Sequence, residues 1–171
     1  MATQAITPKS LSQCIYEGDI YNYVDILNPY KKKELLDSAY NYSQTSQLSF
    51  SISKIKRNGK DCYTLKDFGQ VLVSRNLTNN VRAVLKKAKS RNQISRQLVQ
   101  HLKEGTRYRI YRLDIKSFFE SVNHTTIKKA LKASSISNQT QLLINSIIRN
   151  SNHISQCGLP RGLEFSPSLP N

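Results

Sequence analysis

The residue whose type and position most clearly indicate chemistry is Asp114, within the stretch YRLDIKSFFESV at residues 111–122. Arg112 and Lys116 flank it, and an ion pair with either cation would be a purely structural explanation. Two neighbours favour a functional role instead. Phe118 and Phe119 follow directly, and the Gly- and Pro-rich block CGLPRGLEFSPSLPN occupies residues 157–171.

The surroundings of Asp114 are strongly cationic. The chain has 26 Lys and Arg against 11 Asp and Glu, a formal net charge of +15, and a sequence pI near 9.9. From Arg75 to Lys132 there are 15 basic residues and three acidic ones, a surplus of twelve. Such a charge predicts a polyanionic partner, with nucleic acid as the first choice and an anionic membrane as the second.

An alternating pattern places Asp114 on a predicted strand. Even positions in RYRIYRLDIKSFF would share one face and odd positions the other. The polar face would hold Ile110, Arg112, Asp114 and Lys116, and the opposite face Tyr111, Leu113 and Ile115.

Other patterns predict the elements that support this strand. Alternation on both sides of Asn58-Gly59 predicts a β-hairpin. Helical spacing predicts a helix beginning near Val81 with Thr78 or Asn79 as its cap. Further helices are predicted around Pro29 (two short ones), along Ile94, Leu98 and Leu102 as far as Gly105, and within NHTTIKKALKAS and SNQTQLLINSIIRN.

Length and composition set the remaining limits. A chain of 171 residues fits one ordinary domain or a piece of something larger. No apolar run approaches the roughly 20 residues that span a bilayer, and the N-terminus lacks a signal peptide's apolar region, so we expect a soluble intracellular protein. Three widely separated cysteines, Cys14, Cys62 and Cys157, are expected to be reduced thiols.

The quoted blocks resemble a known family. RLDIKSFFESV and GLPRGLEFSPSLPN, in this order, resemble motifs A and B of the reverse transcriptases, the RNA-directed DNA polymerases, in the form found in bacterial group II intron, retron and defence-associated or abortive-infection enzymes. Upstream, the stretch from NGKDCYTLKDFG to HLKEG resembles the fingers of the defence-associated group. The likeness covers roughly residues 50–171.

This resemblance implies an α+β fold. It would comprise a fingers-like region at residues 49–105 and a partial palm at residues 106–171. Residues 1–48, of which the first 45 have no match in the family, are expected from their apolar spacing to form a helical N-terminal extension. The palm would be the first half of an antiparallel sheet, with the Asp114 strand at its centre.

The resemblance also implies two-metal nucleotidyl transfer with Mg²⁺ or Mn²⁺, which prefer oxygen ligands. Asp114 and the backbone carbonyl of Ile115 match the metal ligands of motif A. Phe119 matches the ring that favours dNTP over rNTP, with core packing as the alternative, whereas Phe118 is expected in the core. Gly158 and Gly162 would let the backbone approach template and nucleotide, and Pro160 would stiffen that loop.

Several cations could contact the triphosphate. Arg161 stands where the commonest family pattern has Gln, and it would contact triphosphate or template or lie solvated. Arg75, Arg82 and Arg91 are candidate triphosphate contacts, and Lys56 with Lys60 on the hairpin would be an alternative pair. Glu120 belongs to the consensus of motif A and is expected to cap the next element rather than to bind metal.

The family's Tyr-x-Asp-Asp motif C does not occur in this sequence, and the only carboxylates after Asp114 are Glu120 and Glu164. We therefore expect the chain to be the N-terminal part of such a polymerase, inactive alone. A non-catalytic nucleic-acid-binding derivative and complementation by a partner chain are the alternatives. The expected partners are an RNA template, a DNA or RNA primer and dNTPs, without a membrane. Bacterial cytoplasm and antiviral defence are implied by the resemblance alone.

Overall fold

The computed structural model describes residues 4–45, 49–85, 90–105, 117–154 and 158–164, and also residues 107, 109, 111, 113 and 115. Of residues 153 and 154 it describes the backbone alone. Asp114, the central residue of the predicted site, lies outside the described residues, as do Cys157 and residues 165–171.

The architecture is α+β. Within the described ranges, seven α-helices accompany one two-stranded antiparallel sheet, and 3-10 turns cover Glu17–Asp19 and Val24–Leu27. The strands are β1, Ile52–Arg57, and β2, Lys60–Leu65. The helices are α1, Pro8–Ser12; α2, Pro29–Gln44; α3, Phe68–Val84; α4, Arg91–Lys103; α5, Phe118–Ser121; α6, His124–Ala133; and α7, Asn138–Ile154.

The predicted hairpin is confirmed. β1 and β2 pair antiparallel, with Arg57 opposite Lys60 across the turn. Asn58 and Gly59 have φ of 50° and 73°, which are the positive values that a two-residue type I′ turn requires. The turn residues therefore set the register of the sheet.

Helix α3 lies at the centre of the core and begins earlier than the pattern predicted. Its cap is Asp67, which accepts a hydrogen bond from the Gln70 N–H at 2.8 Å, so the prediction of Thr78 or Asn79 as cap was wrong. The apolar spacing around Val81 identified only the last part of the helix. Gly69 allows the close approach to α2, since an added Cβ would lie 3.2 Å from Ala39 Cβ.

Around α3, one cluster of buried side chains includes residues from all three predicted segments, 1–48, 49–105 and 106–171. It includes Leu11 from α1, Leu36 from α2, Tyr63 from β2, Ile147 from α7 and Leu163 from the loop near the C-terminus. The helix predictions for α6 and α7 are confirmed, with Asn123 capping α6 and Ser137 accepting from the Thr140 N–H at 3.3 Å. Pro29 opens one long helix capped by Asn28, whereas two short helices had been predicted.

Helix α4 is also present as predicted, but it buries no side chain. Its apolar stripe of Ile94, Leu98 and Leu102 is exposed. No described residue between 106 and 116 belongs to a strand, and the predicted Asp114 strand is therefore not found among the residues described there. Alternation indicates which side chains could share a face, but a strand also needs a neighbour to accept its hydrogen bonds.

Arg75 of α3 ties the N-terminal segment to the C-terminal loop. Its guanidinium donates to both Asp19 oxygens, at 2.5 and 3.0 Å, and to Glu164 Oε1 at 3.1 Å. The side chains of Arg75 and Asp19 are only 11% and 10% exposed. The Tyr16 ring covers the guanidinium at 4.2 Å. Arg75 is thus committed to a nearly buried ion pair.

We predict that Asp19→Asn lowers the free energy of unfolding by about 3 kcal/mol at neutral pH, because it leaves a buried cation without its main partner. Denaturant unfolding monitored by circular dichroism would measure this. The exposed pair of Asp25 and Lys31 provides the control, since Asp25→Asn should change stability little.

The same pair predicts a pH dependence. The hydrogen bond from Arg75 lowers the pKa of Asp19 below its ordinary 3.8, despite partial burial. The stabilisation of the folded state by the Asp19–Arg75 pair is therefore complete at pH values above 3.8. It is lost as the pH falls through the lowered pKa of Asp19. Stability should decline more steeply with acid in the natural chain than in Asp19→Asn, and parallel curves would contradict this assignment.

Candidate functional site

The segment 158–164, here called the C-terminal loop, is held by backbone hydrogen bonds on two sides. The Leu159 N–H donates to the Phe119 carbonyl of α5 at 2.8 Å. On the other side, the Tyr63 N–H of β2 donates to the Arg161 carbonyl at 2.7 Å. The loop therefore bridges the end of the motif A-like segment and the edge strand of the hairpin.

Two glycines make these close approaches possible. A Cβ at Gly158 would overlap the Val122 carbonyl oxygen and lie 2.9 Å from that of Phe119. At Gly162, φ is +98°, and a Cβ would lie 2.8 Å from the Tyr63 carbonyl oxygen. The glycines had been expected to admit template or nucleotide, but in the structure their open sides face the protein's own backbone.

Arg161 lies on the Phe119 ring and pairs with Glu120. Its Cζ is 4.9 Å from the ring centroid, within the range of a cation–π contact. Its Nη2 lies 3.0 and 3.3 Å from the two Glu120 carboxylate oxygens. The prediction that Glu120 caps the next helix was wrong, since Asn123 caps α6.

The electrostatics of Glu120 follow from this setting. Partial burial alone would raise its pKa, but hydrogen bonds from its own backbone N–H and from Arg161 lower the pKa, and so does the charge of Lys60. The net pKa lies below the ordinary value. Lys60 of the hairpin, one member of the alternative pair with Lys56, thus contributes to the electrostatics of Glu120.

Phe118, expected in the core, is not part of the core cluster, whereas Phe119 packs against it. Phe119 is half-buried and packs against the core cluster, whereas Phe118 is half-buried outside that cluster and contacts Phe119 edge-to-face at 5.7 Å. The preceding Ser117 has φ of +53°, a left-handed conformation that turns the chain sharply into α5. Core packing, expected for Phe118, therefore applies to Phe119.

The structure brings together only part of the predicted set. Phe119, Gly158, Pro160, Arg161 and Gly162 meet at α5 and the C-terminal loop. Of the other candidates, Asp114 lies outside the described chain, and Arg75 reaches the C-terminal loop through Glu164. Arg75 is held by Asp19 and Glu164, Arg82 and Arg91 are exposed on the last turn of α3 and the first of α4, and Ile115 is exposed.

Sequence reasoning missed the partners of both arginines. Glu120 and Arg161 lie 41 residues apart, and Asp19 and Arg75 lie 56 apart. The sequence did contain one signal for these pairings: Glu120 and Glu164 are the only acids after Asp114 in a cationic region, and each pairs with an arginine.

The structure also contains a cavity of about 750 Å³ away from this group. It lies between the turn at Val24–Leu27, helix α2 and the start of α3. Tyr23 and Phe68 stack on one side of it with centroids 4.0 Å apart, and the ion pair of Asp25 with Lys31 lies at its edge. None of its lining residues belongs to α5 or the C-terminal loop.

We predict that Gly158→Ala destabilises the protein by roughly 2 kcal/mol, because the methyl group must displace backbone. The melting temperature should fall by about 5 °C in differential scanning fluorimetry. Gly18→Ala is the matched control, since nothing lies within 4 Å of its added Cβ. Equal melting of Gly158→Ala and the natural chain would show that the loop does not dock on α5 as described.

Comparison of the chain with protein-family models, curated proteins and solved structures found no match. No helix in the described ranges is both long and apolar enough to cross a membrane.

Proposed function

We propose that this chain provides the fingers and the first part of the palm of an RNA-directed DNA polymerase, where it binds an RNA template, a primer and an incoming dNTP. The observation that supports this most strongly is the meeting of the two motif-like blocks. Phe119 and Arg161, 42 positions apart in the sequence, stack on each other in the structure.

The chemistry of this group suits a nucleotide. An aromatic ring offers a flat apolar surface to a sugar or base, and a guanidinium is the cation best matched to phosphate oxygens. The loop backbone that carries Arg161 is fixed at both ends by the bonds to Phe119 and Tyr63. A nucleotide placed here would find its ring and cation already positioned, which lowers the entropy cost of binding.

Exposed cations on the hairpin and on α6 are available to phosphate backbones. The hairpin presents Lys56, Arg57 and Lys60, and α6 presents Lys128, Lys129 and Lys132. Contacts of this kind are independent of sequence and release counterions from the nucleic acid. The proposed template and primer would run along these cations.

A metal site at Asp114 follows from the resemblance to motif A. Asp114 is outside the described residues, and within the described parts no group of three His, Cys, Asp or Glu side chains could hold a metal ion. Glu120 and Glu164 are engaged by arginines. By resemblance, Mg²⁺ or Mn²⁺ would be held by Asp114 and the Ile115 carbonyl and would supply the charge that nucleotidyl transfer needs at the primer hydroxyl and the triphosphate.

The second candidate is a nucleic-acid-binding protein derived from a polymerase and lacking catalysis. The pairing of Glu120 and Glu164 with arginines favours this candidate, because it engages the carboxylates that a metal would need. Binding of nucleic acid needs only the exposed cations. The two candidates differ in one measurable property, which is binding of dNTP in the presence of template and primer.

Ultraviolet cross-linking of a radiolabelled dNTP to the chain tests this difference. With an RNA template, a DNA primer and Mn²⁺, we expect cross-linking to the complementary dNTP above that to a mismatched one. Asp114→Asn should abolish dNTP cross-linking and leave binding of template and primer intact. Cross-linking that ignores the template base, or that survives Asp114→Asn, would contradict the polymerase proposal, and binding of nucleic acid alone would leave the second candidate.

Binding of template and primer should depend steeply on salt. If about six phosphates are neutralised, affinity should fall roughly a thousandfold between 50 and 200 mM salt, as measured by fluorescence anisotropy. Lys60→Gln should reduce the log–log slope by about one. The control is Lys31→Gln, beside the cavity, where no change in slope is expected; an equal effect there would point to net charge alone.

A further inference from the structure

The ion pair between Arg161 and Glu120 has the geometry and exposure of a weak, exchangeable contact. Both short distances come from one nitrogen, Nη2, so Arg161 does not form the parallel two-nitrogen fork that makes arginine–carboxylate pairs strong. The side chains are 23% and 43% exposed, which lets water and solutes compete for them. The pair is therefore held less tightly than that of Arg75 and Asp19.

The Nε of Arg161, unpaired among the described residues, also indicates that the contact with Glu120 is exchangeable. The Nε of Arg161 is buried and has no hydrogen-bond partner within the described parts of the chain. A buried donor without an acceptor costs free energy, which makes the arrangement that buries it less favourable. A partner that drew the guanidinium outward would relieve this cost.

The backbone around the pair cannot move easily, whereas the side chain can. The loop is tied to Phe119 and Tyr63 by backbone hydrogen bonds, and Gly158 is in contact with α5. Any exchange of partners by Arg161 must therefore occur by rotation of its side chain over the Phe119 ring. The surroundings are cationic, with Lys60 close enough to affect Glu120, so that an arriving polyanion is attracted to this point.

We propose that Glu120 is an internal competitor for phosphate: it occupies Arg161 in the free chain, and the triphosphate of a nucleotide displaces it. Glu120 is thereby a specificity-determining residue, because a singly charged anion gains little by replacing a carboxylate, whereas a polyphosphate gains several charge-assisted hydrogen bonds. The proposal deepens the proposed function, on which it rests for the identity of the ligand.

Inorganic tripolyphosphate is the probe, because it tests the site without template, primer or base. Glu120→Gln keeps the size of the side chain and removes the competing charge, so affinity measured by isothermal titration calorimetry should rise roughly fivefold. Arg161→Gln should abolish this gain, and the double variant should bind no better than Arg161→Gln alone.

Glu104→Gln controls for net charge. Glu104 is exposed and pairs with His101 at the end of α4, so its replacement adds the same charge without releasing an arginine. We expect little change in tripolyphosphate affinity. Equal tightening by Glu104→Gln and Glu120→Gln, no tightening by Glu120→Gln, or a gain that survives Arg161→Gln would each overturn the proposal.

A spectroscopic measurement reports the exchange itself. The Nε–H resonance of Arg161, identified by its loss in Arg161→Gln, should shift in the same direction on Glu120→Gln and on addition of tripolyphosphate. An unmoved resonance at saturating tripolyphosphate would refute displacement. Failure of dNTP cross-linking with these results intact would instead refute only the polymerase proposal.

Discussion

The candidate site depends on one constraint, the docking of the C-terminal loop by backbone hydrogen bonds to Phe119 on one side and Tyr63 on the other. Gly158 and Gly162 permit these bonds, since a side chain at either position would meet a carbonyl oxygen. Because the loop is fixed at both ends, the guanidinium of Arg161 lies over the Phe119 ring. Without this docking, the two motif-like blocks would remain unrelated in space.

The two arginine–carboxylate ion pairs differ in exposure and therefore suit different roles. Arg75 is nearly buried and joins Asp19 near the N-terminus to Glu164 at the end of the loop, so it fits a structural role better than contact with a triphosphate. Arg161 is more exposed and contacts Glu120 through a single nitrogen. Breaking the first pair leaves a charge in a dry environment, whereas exchanging the second costs little. The proposed ligand exchange therefore belongs to Arg161.

Local patterns predicted most of the elements. The Asn58-Gly59 turn determines the hairpin because few residues accept positive φ, and helical spacing identified α4, α6 and α7. The start of α3 was missed although Asp67 and Gln70 have the spacing of a cap. Gly69, between them, allows contact with α2.

By itself, the sequence determined the cationic surface, the hairpin, the helices with regular apolar spacing and the two blocks that resemble motifs A and B. Only the tertiary structure decided which charges meet: Glu120 with Arg161, and Asp19 with Arg75. Turns and helices are set by residues within a few positions of one another, so that a linear pattern records them. Ion pairs between residues 41 and 56 positions apart form because buried side chains must pack and buried charges must find partners, and no local pattern encodes that choice.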